Sequence, residues 1–415
     1  MDFPSARSKQ TSRGQKNLRL LSSCDRYNYG DLLFPIVTRQ ALMAIREFRD
    51  QYQCDSYGMK RSDLSAFGAM PSKGMSDLYH DVRNGDVVLL AGGENLAQTW
   101  LTMHLTLLDA NEASRMLSLQ RFARSFAERF SRWQYRGRQR FPYILSPDQF
   151  HANVRVMYNS VGGWPLRHYG PRDQKSIVKA LGQASFVSVR GQESANIIKE
   201  LDPTVPVVVA PDCVFLLPAL IPKDQLAAQA SEAVRVLVRE AGEYVTFQCN
   251  PRYGEANREE LKRQIQTLAA KTGLNVVLTP IGRVYSFNDD VFLESLAAEM
   301  GKGVRVLGRD SSIYDVAYVL ASARLFCGTS LHGVITSLAY DVPFVPLQNE
   351  DPKVHNNVKS WGLAEVFPQA PAEELANHGL RALGTCQRFL RDHATTLRSA
   401  AQTNMQNLAK CILAG

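Results

Sequence analysis

The stretch Ala323–Pro346, ARLFCGTSLHGVITSLAYDVPFVP, contains the repeating unit from which the predicted fold follows. ARLFC is a short apolar run typical of a strand, GTS is a turn of small polar residues, and apolar residues recur from Leu331 at helical spacing. The Val342–Pro343 step ends this helix, because proline disfavours helical backbone in the residue before it. PFVP then supplies a second strand. Strand, helix and strand in this order indicate a parallel sheet covered by helices.

The same unit recurs along most of the chain. The first half contains the runs NLRLLSS, GDVVLLAGG, NVRVMYNSVGG, SFVSVRG and VPVVVAPD, and the second half contains YVTFQCN, NVVLTPIG and VRVLG. Apolar runs without alternation suit strands that are buried on both faces. We therefore predict an α/β protein with two doubly wound, Rossmann-like domains that face a cleft, since ligands of such sheets bind at the carboxyl ends of the strands.

The predicted organisation of the chain has four parts. Residues 1–16 lack the apolar core of a signal peptide, so they are not interpreted as a secretory signal. We interpret them as a disordered basic tail. Residues 17–230 form the first domain, and a Pro- and Ala-rich polar stretch leads into the second domain, residues 231–381. The last segment, 382–415, has apolar residues at helical spacing and is predicted to pack back across the first domain.

Composition limits the class of protein. The chain has 415 residues, of which 45% are apolar, and no apolar run approaches the ~18 residues that span a membrane. Seven cysteines are dispersed without CxxC spacing, which argues against a disulfide framework and a structural zinc site. We predict reduced cysteines, no metal and a cytoplasmic location.

Positive charge is concentrated in one part of the first domain. The net charge is +8, and Arg121–Arg140 contains seven arginines and one glutamate within a basic amphipathic segment, 115–143. This pattern suits a helix that lies on the inner face of the plasma membrane, and the alternative is a helix packed on the domain with its arginines extended into water. No nucleic-acid motif accompanies the charge, so no nucleic-acid partner is predicted. Four aromatic residues share one helical face: Phe122, Phe126, Phe130 and Trp133.

The position of His332 raises a functional hypothesis. It lies in the first turn of the predicted helix, directly after a strand. The free N–H groups and the dipole of a helix start attract anions. The dipole lowers the pKa of an imidazole and a bound anion raises it, so His332 is placed to act as a general acid on a phosphate compound. The alternative is an ordinary histidine bonded to a nearby carbonyl.

Several pieces of the sequence resemble, in order, segments of the polysaccharide pyruvyl transferase family. SLHGVITSLAYDVPFV resembles the family's histidine motif, and the resemblance spans residues 17–365. It implies a glycosyltransferase B-like fold and transfer of the pyruvyl group of phosphoenolpyruvate onto two sugar hydroxyls, which forms a cyclic ketal. The acceptor would be a bacterial-type polysaccharide or its lipid-linked precursor. The other matching segments are NYGD, LLAGGENL, VMYNSVGG, FVSVRGQESANIIKEL and VVVAPDCVFLLP.

The resemblance also implies roles on the donor side, which is assigned to the second domain. His332 matches the family's acid, while Arg190 and Lys353 match the residues that hold the donor. A guanidinium suits the carboxylate of phosphoenolpyruvate, and an ammonium or a helix start suits its phosphate. No cofactor besides this donor is predicted. Three further residues are candidates for donor binding: Thr329, Ser330 and Arg283.

The acceptor side is assigned to the first domain. The reaction needs a carboxylate to deprotonate the incoming hydroxyl, and Asp31 and Glu94 are both candidates, because each follows a Gly-containing turn at a predicted strand end. Capping a helix is the alternative role for Asp31. Three further residues are predicted to bind the acceptor: Asn28, Gly30 and Gly93.

Two departures from the family pattern leave other functions open. Many members have arginine at the position of Ser330 and aspartate at the position of Gly191. One alternative is a nucleotide-sugar glycosyltransferase, which would share the fold. The other is an inactive member that binds saccharides. The sequence predicts neither the acceptor sugar nor the oligomeric state.

Overall fold

The computed structural model describes residues 15–285, 287–301 and 303–415, except for the side chains of Ala110 and Phe287. Residues 1–14 of the predicted tail lie outside these ranges, and the first strand already begins at Lys16. The described strands form a seven-stranded, a five-stranded and a two-stranded sheet. They are β1 (Lys16–Leu21), β2 (Tyr52–Tyr57), β3 (Ser72–Lys73), β4 (Val87–Ala91), β5 (Arg155–Val161), β6 (Phe186–Val189), β7 (Val207–Val209), β8 (Tyr244–Gln248), β9 (Asn275–Leu278), β10 (Arg283–Val284), β11 (Phe287–Asn288), β12 (Val304–Val306), β13 (Leu325–Gly328) and β14 (Phe344–Pro346).

Helices connect most of these strands. They are α1 (Tyr29–Met43), α2 (Arg46–Gln51), α3 (Met75–Asp81), α4 (Trp100–Leu105), α5 (Ala110–Gln134), α6 (Pro171–Gly182), α7 (Gln192–Leu201), α8 (Leu217–Leu220), α9 (Lys223–Gln229), α10 (Glu232–Ala241), α11 (Pro251–Ala256), α12 (Arg258–Thr272), α13 (Asp289–Met300), α14 (Ile313–Ser322), α15 (Leu331–Ala339), α16 (Lys353–Ser360), α17 (Leu375–Leu383) and α18 (Gln387–Leu413). None of the described helices is long and apolar enough to cross a membrane.

The first domain is built on the seven-stranded sheet. Its order is β3-β2-β1-β4-β5-β6-β7, and every neighbouring pair is parallel. Strand β4 is buried along its whole length, with Val87 and Leu89 in one apolar cluster and Val88 and Leu90 in another. Both faces of the sheet are therefore covered, which explains why the strands are apolar without alternation.

The second domain repeats this arrangement on the five-stranded sheet. Its order is β12-β9-β8-β13-β14, again with parallel neighbours. The order of the strands reverses between β1 and β4 in the first sheet and between β8 and β13 in the second. Such a reversal leaves a crevice at the carboxyl ends of the strands, because the helices that follow lie on opposite faces.

The domain boundary differs slightly from the position suggested by the sequence. Helix α9 packs against α14 of the second domain, and the backbone N–H of Ser231 donates to Asp315. The second domain therefore begins near Lys223 rather than at residue 231. Helix α18 contacts α1 and α2 of the first domain as well as α15 of the second. Its buried side chains include Leu390, Leu408 and Ile412.

A short backbone ladder joins the two domains. Asn28 forms an antiparallel bridge with Gly282, the N–H of Tyr29 donates to the carbonyl of Ile281, and the N–H of Arg283 donates to the carbonyl of Tyr27. The hydroxyls of Tyr29 and Thr336 also lie 2.9 Å apart, within hydrogen-bond distance. The start of α1 is therefore held against the second domain at the base of the cleft.

The predicted basic segment forms α5, which ends at Gln134 instead of continuing to Arg140. Its backbone is kinked at Ala123, where φ is −147° and ψ is 57°. The helix packs on the first domain through small side chains, including the buried Ala127 and Ser131. Three of the four aromatic residues on the predicted face are exposed, whereas the ring of Phe130 packs against His104 at a centroid distance of 6.3 Å.

Candidate active site

A cavity of about 160 Å³ lies between the two domains. Its lining residues follow strands of both sheets, including the pairs β1 and β4 and β8 and β13, at which the strand order reverses. The cavity thus occupies the crevice that the topology creates. Eight of the predicted site residues line it: Asn28, Asp31, Glu94, Arg190, Thr329, Ser330, His332 and Lys353.

His332 lies in the first turn of α15, and its ring is held on two sides. The ring of Phe34 meets it edge-on at a centroid distance of 5.2 Å. A methyl group at Gly30 would lie 1.9 Å from His332 Nδ1, so only glycine leaves room for the ring. The imidazole Nε2 makes no hydrogen bond to any described residue, and it lies 3.8 Å from the carboxylate of Asp212.

The surroundings of His332 favour the neutral form of the imidazole. Burial lowers its pKa well below the ordinary value, and the positive charges of Arg190 and Lys353 lower it further. A bound anion would offset both cations and raise the pKa again. The pKa of His332 therefore responds to a bound anion, while burial continues to lower it.

Arg190 is buried at the centre of an ion-pair network. Its guanidinium donates to Glu94 at 2.7 Å and to Asp212 at 3.2 Å, while its Nε makes no hydrogen bond among the described residues. Asp212 is fully buried and also accepts from the backbone of Val214. Gly162 makes this network possible, because a side chain there would lie 2.1 Å from the Glu94 carboxylate. The network fixes the orientation of the guanidinium.

Asp31 differs from Glu94 in its surroundings. The Asp31 carboxylate makes no hydrogen bond to another described residue, whereas Glu94 accepts from both Arg190 and the backbone of Trp164. Burial raises the pKa of Asp31 to about 6, although the nearby cations Arg26, Arg190 and Lys353 oppose this shift. Asp31 is therefore the better placed of the two to exchange a proton near neutral pH.

Thr329 and Ser330 both hold the turn that precedes α15. The Thr329 hydroxyl accepts from the backbone N–H of Asn250 at 3.0 Å and so ties the ends of β8 and β13 together. Ser330 caps α15 by accepting from the N–H of Gly333 at 3.2 Å. Both residues line the cavity, but their hydroxyls are engaged in these local contacts.

Three predicted site residues do not line the cavity. Gly30 lies beneath the ring of His332, and Gly93, at φ +88°, forms the turn that leads into Glu94. Arg283 is directed elsewhere: it stacks on the ring of Tyr27 at 4.1 Å and donates to three backbone carbonyls, including that of Ser311 at 3.1 Å. The geometry therefore does not support donor binding by Arg283.

The structure adds residues that sequence reasoning missed. Arg26 lines the cavity as a third cation, held by Asp25 at 2.8 Å and by the carbonyl of Met103. Asp289 also lines it, and burial raises the pKa of this aspartate to about 7. The sequence offered a signal for Arg26 and for Asp212, because each is a charged residue among apolar or small residues. Arg26 belongs to the pair Asp25–Arg26 in SSCDRYNYGD, and Asp212 is the single acid in PDCVFLL.

Solved structures with the same architecture define the class of fold. A UDP-GlcNAc 2-epimerase from Methanocaldococcus jannaschii is similar at a TM-score of 0.53 and 10% identity, covering 90% of this chain and 94% of that one. The S. aureus MnaA structure with UDP is similar at a TM-score of 0.54 and 10% identity, with 95% of each chain covered. The predicted fold is thus confirmed: two Rossmann-like domains of the glycosyltransferase B type.

The family follows from the sequence. The model of the polysaccharide pyruvyl transferase family matches residues 28–351, which include every residue that lines the cavity except Ser23, Arg26 and Lys353. The chain belongs to this family, as the resemblance predicted. Membership makes it a transferase and implies a saccharide acceptor. No curated protein matches the chain.

Proposed function

We propose that the chain transfers the pyruvyl group of phosphoenolpyruvate onto two hydroxyls of one saccharide acceptor and forms a ketal. The observation that carries this proposal is the position of His332. Its Nε2, unpartnered among the described residues, lies at a cavity lined by Arg26, Arg190 and Lys353, in a chain of the pyruvyl transferase family. Carboxylates of Asp31, Glu94 and Asp289 line the same cavity, so recognition of a small anion would come from the individual cations and not from an overall positive charge.

The proposed donor carries a carboxylate and a phosphate, and the cavity offers a different type of cation for each. The guanidinium of Arg190 is oriented by Glu94 and Asp212, which suits recognition of a planar carboxylate. Lys353 is the first residue of α16, so its ammonium adds to the positive end of that helix. We assign the phosphate to this end of the cavity.

The net reaction fixes where protons must move. Two bonds form between sugar oxygens and the central carbon of the donor, and the bond from that carbon to the phosphate oxygen breaks. The two sugar hydroxyls lose two protons. One is balanced by the proton added to the methylene carbon, which becomes a methyl group, and the other leaves on the phosphate. The site must therefore supply a proton to carbon and accept one from a hydroxyl.

His332 and Asp31 meet these two requirements. His332, protonated once the anionic donor is bound, gives its proton to the methylene carbon. Asp31, unpaired among the described residues and with a pKa of about 6, accepts the proton of the incoming hydroxyl. Glu94 is assigned to orienting Arg190 instead, because its carboxylate is already engaged. Exchange with water restores both groups.

The test is phosphate release from phosphoenolpyruvate in the presence of a panel of hexose acceptors, both free and lipid-linked. We expect release that depends on the acceptor and a product whose mass exceeds that of the acceptor by one pyruvyl ketal. Calorimetry with UDP-sugars is the parallel measurement. Binding of UDP-sugars without any binding of phosphoenolpyruvate would favour a nucleotide-sugar enzyme. Binding of saccharide without turnover would favour an inactive binder.

A further inference from the structure

Helix α5 exposes three large aromatic side chains to solvent. Phe122 is 90% exposed, Phe126 is 59% exposed and Trp133 is 72% exposed. We call these three residues the aromatic ridge. The opposite face of the helix is buried through Ala127 and Ser131, so Phe126 and Trp133 face away from the domain, and Phe122 lies beyond the kink at Ala123. Large apolar side chains grouped on one surface mark a site of interaction.

A second cavity, of about 430 Å³, lies beside the aromatic ridge. Ser125, Arg129 and Arg132 of α5 line it. Phe126 follows Ser125 and Trp133 follows Arg132, and successive helical residues are turned by about 100°. The ridge and the cavity therefore occupy adjacent faces of one helix. Four guanidinium groups line this arginine cavity: those of Arg124, Arg129, Arg132 and Arg140.

The arginine cavity has an excess of positive charge, because four arginines and two carboxylates, Glu128 and Asp173, line it. Its two carboxylates have partners of their own, since Glu128 accepts from the N–H groups of Trp100 and Leu101, and Asp173 accepts from Arg140 at 2.8 Å. The side chains of the other three arginines make no hydrogen bond or ion pair to any described residue. Guanidinium groups gathered in this way recognise phosphate.

We propose that α5 docks this protein onto an anionic lipid bilayer. The aromatic ridge enters the interface, where aromatic rings are most stable, and the arginine cavity receives a lipid phosphate. Charge complementarity selects an anionic membrane, because basic residues close to such a surface each strengthen binding. Both features lie on one helix, so a single orientation on the membrane satisfies them together.

Docking would place the bilayer close to the cleft. Gln98 lines the site that contains His332, and the next residue, Thr99, lines the arginine cavity. The two cavities share no lining residue, so docking does not depend on the reaction proposed above. It explains how an acceptor anchored in a membrane could reach the cleft without any membrane-spanning helix in the described part of the chain.

The test is co-sedimentation of the full chain with phosphatidylcholine vesicles, with and without phosphatidylglycerol. We expect binding only to the vesicles that contain phosphatidylglycerol, and weaker binding as salt is raised. R129Q/R132Q should weaken binding by roughly 25-fold, since each arginine near the surface contributes about fivefold. F126S/W133S should weaken it to a similar extent by removing the apolar contact.

Two control variants separate docking from general effects of charge and apolarity. R46Q/R388Q removes two arginines that are 82% and 89% exposed elsewhere, and V208S/V209S removes apolar side chains that are 47% and 42% exposed. Both should bind like the unmodified chain. The proposal is overturned if the controls lose as much affinity as the test variants or if neither vesicle is bound. It is also overturned if sedimentation equilibrium shows a dimer that F126S/W133S dissociates while vesicle binding stays unchanged, because the ridge would then bind a second copy of the chain.

Discussion

His332 carries the sharpest prediction at the scale of single residues. H332Q keeps a polar group that can hydrogen-bond an anion, but it removes the proton donor. We expect turnover to fall by ~10²–10⁴ while donor affinity changes little. Phosphate release at saturating donor, measured beside calorimetry, checks both parts. Normal turnover by H332Q would show that the histidine only packs against Gly30 and Phe34.

The pH dependence follows from Asp31. A base must be ionised to accept a proton, and burial raises the pKa of Asp31 to about 6. We therefore expect kcat/KM to have an acid limb that falls by about tenfold per unit below that pH, separate from the alkaline fall that loss of the His332 proton produces. D31N should remove this acid limb together with most of the activity. An acid limb that is unchanged in the residual activity of D31N would assign the limb to another group.

Single residues also show how far the sequence could be interpreted. His332 was predicted as a site residue because a histidine at a helix start that follows a strand is a local pattern and because SLHGVITSLAYDVPFV resembles the family's histidine motif. Arg26, Asp212 and Asp289 were missed because their roles depend on burial and on partners that the fold brings together. The same reason explains Arg283: its stack on Tyr27 exists only once the two domains are docked.

At the scale of elements, the start of α1 and the start of α15 form one contact. In G30A the new methyl group would lie 1.9 Å from the imidazole of His332, so the ring must move. Alanine favours helix over glycine, so α1 itself should remain formed. We expect a loss of turnover with retained circular dichroism and a changed imidazole signal in NMR.

G182A is the matched control for this contact. Gly182 also belongs to a helix, and a methyl group there would meet only Val205, at 4.0 Å. We expect normal turnover from G182A. Equal activity of G30A and G182A would mean that the position of the ring does not matter for catalysis.

Elements were predicted better than their contacts. The helix after GTS was placed from Leu331, and the structure begins α15 at that residue and ends it at Ala339, just before the predicted stop. Apolar spacing and the Val342–Pro343 step are local signals, which is why they sufficed. The end of α5 was placed too far along the chain, because the arginines continue to Arg140 although the helix stops at Gln134.

At the scale of the whole molecule, α18 holds the two domains together. Leu408 is fully buried, and L408A should reduce the free energy of unfolding by roughly 2–5 kcal/mol, the usual cost of such a cavity. N407A, at the neighbouring exposed position of the same helix, should change it little. Chemical denaturation followed by fluorescence and by activity measures both. Similar stability of L408A and N407A would show that α18 contributes little to the assembly.

The return of α18 to the first domain has a consequence for synthesis. Arg155 of β5 donates to the carbonyls of Cys411 and Ile412, so a side chain of the first sheet finds its partners in residues that are translated after both sheets. Domains usually fold in order as the chain leaves the ribosome. Here the surfaces of α1 and α2 that α18 covers stay exposed until the second domain has emerged. Chaperones that shield apolar surface during translation should therefore raise the yield of this chain more than that of one whose first domain is complete by itself.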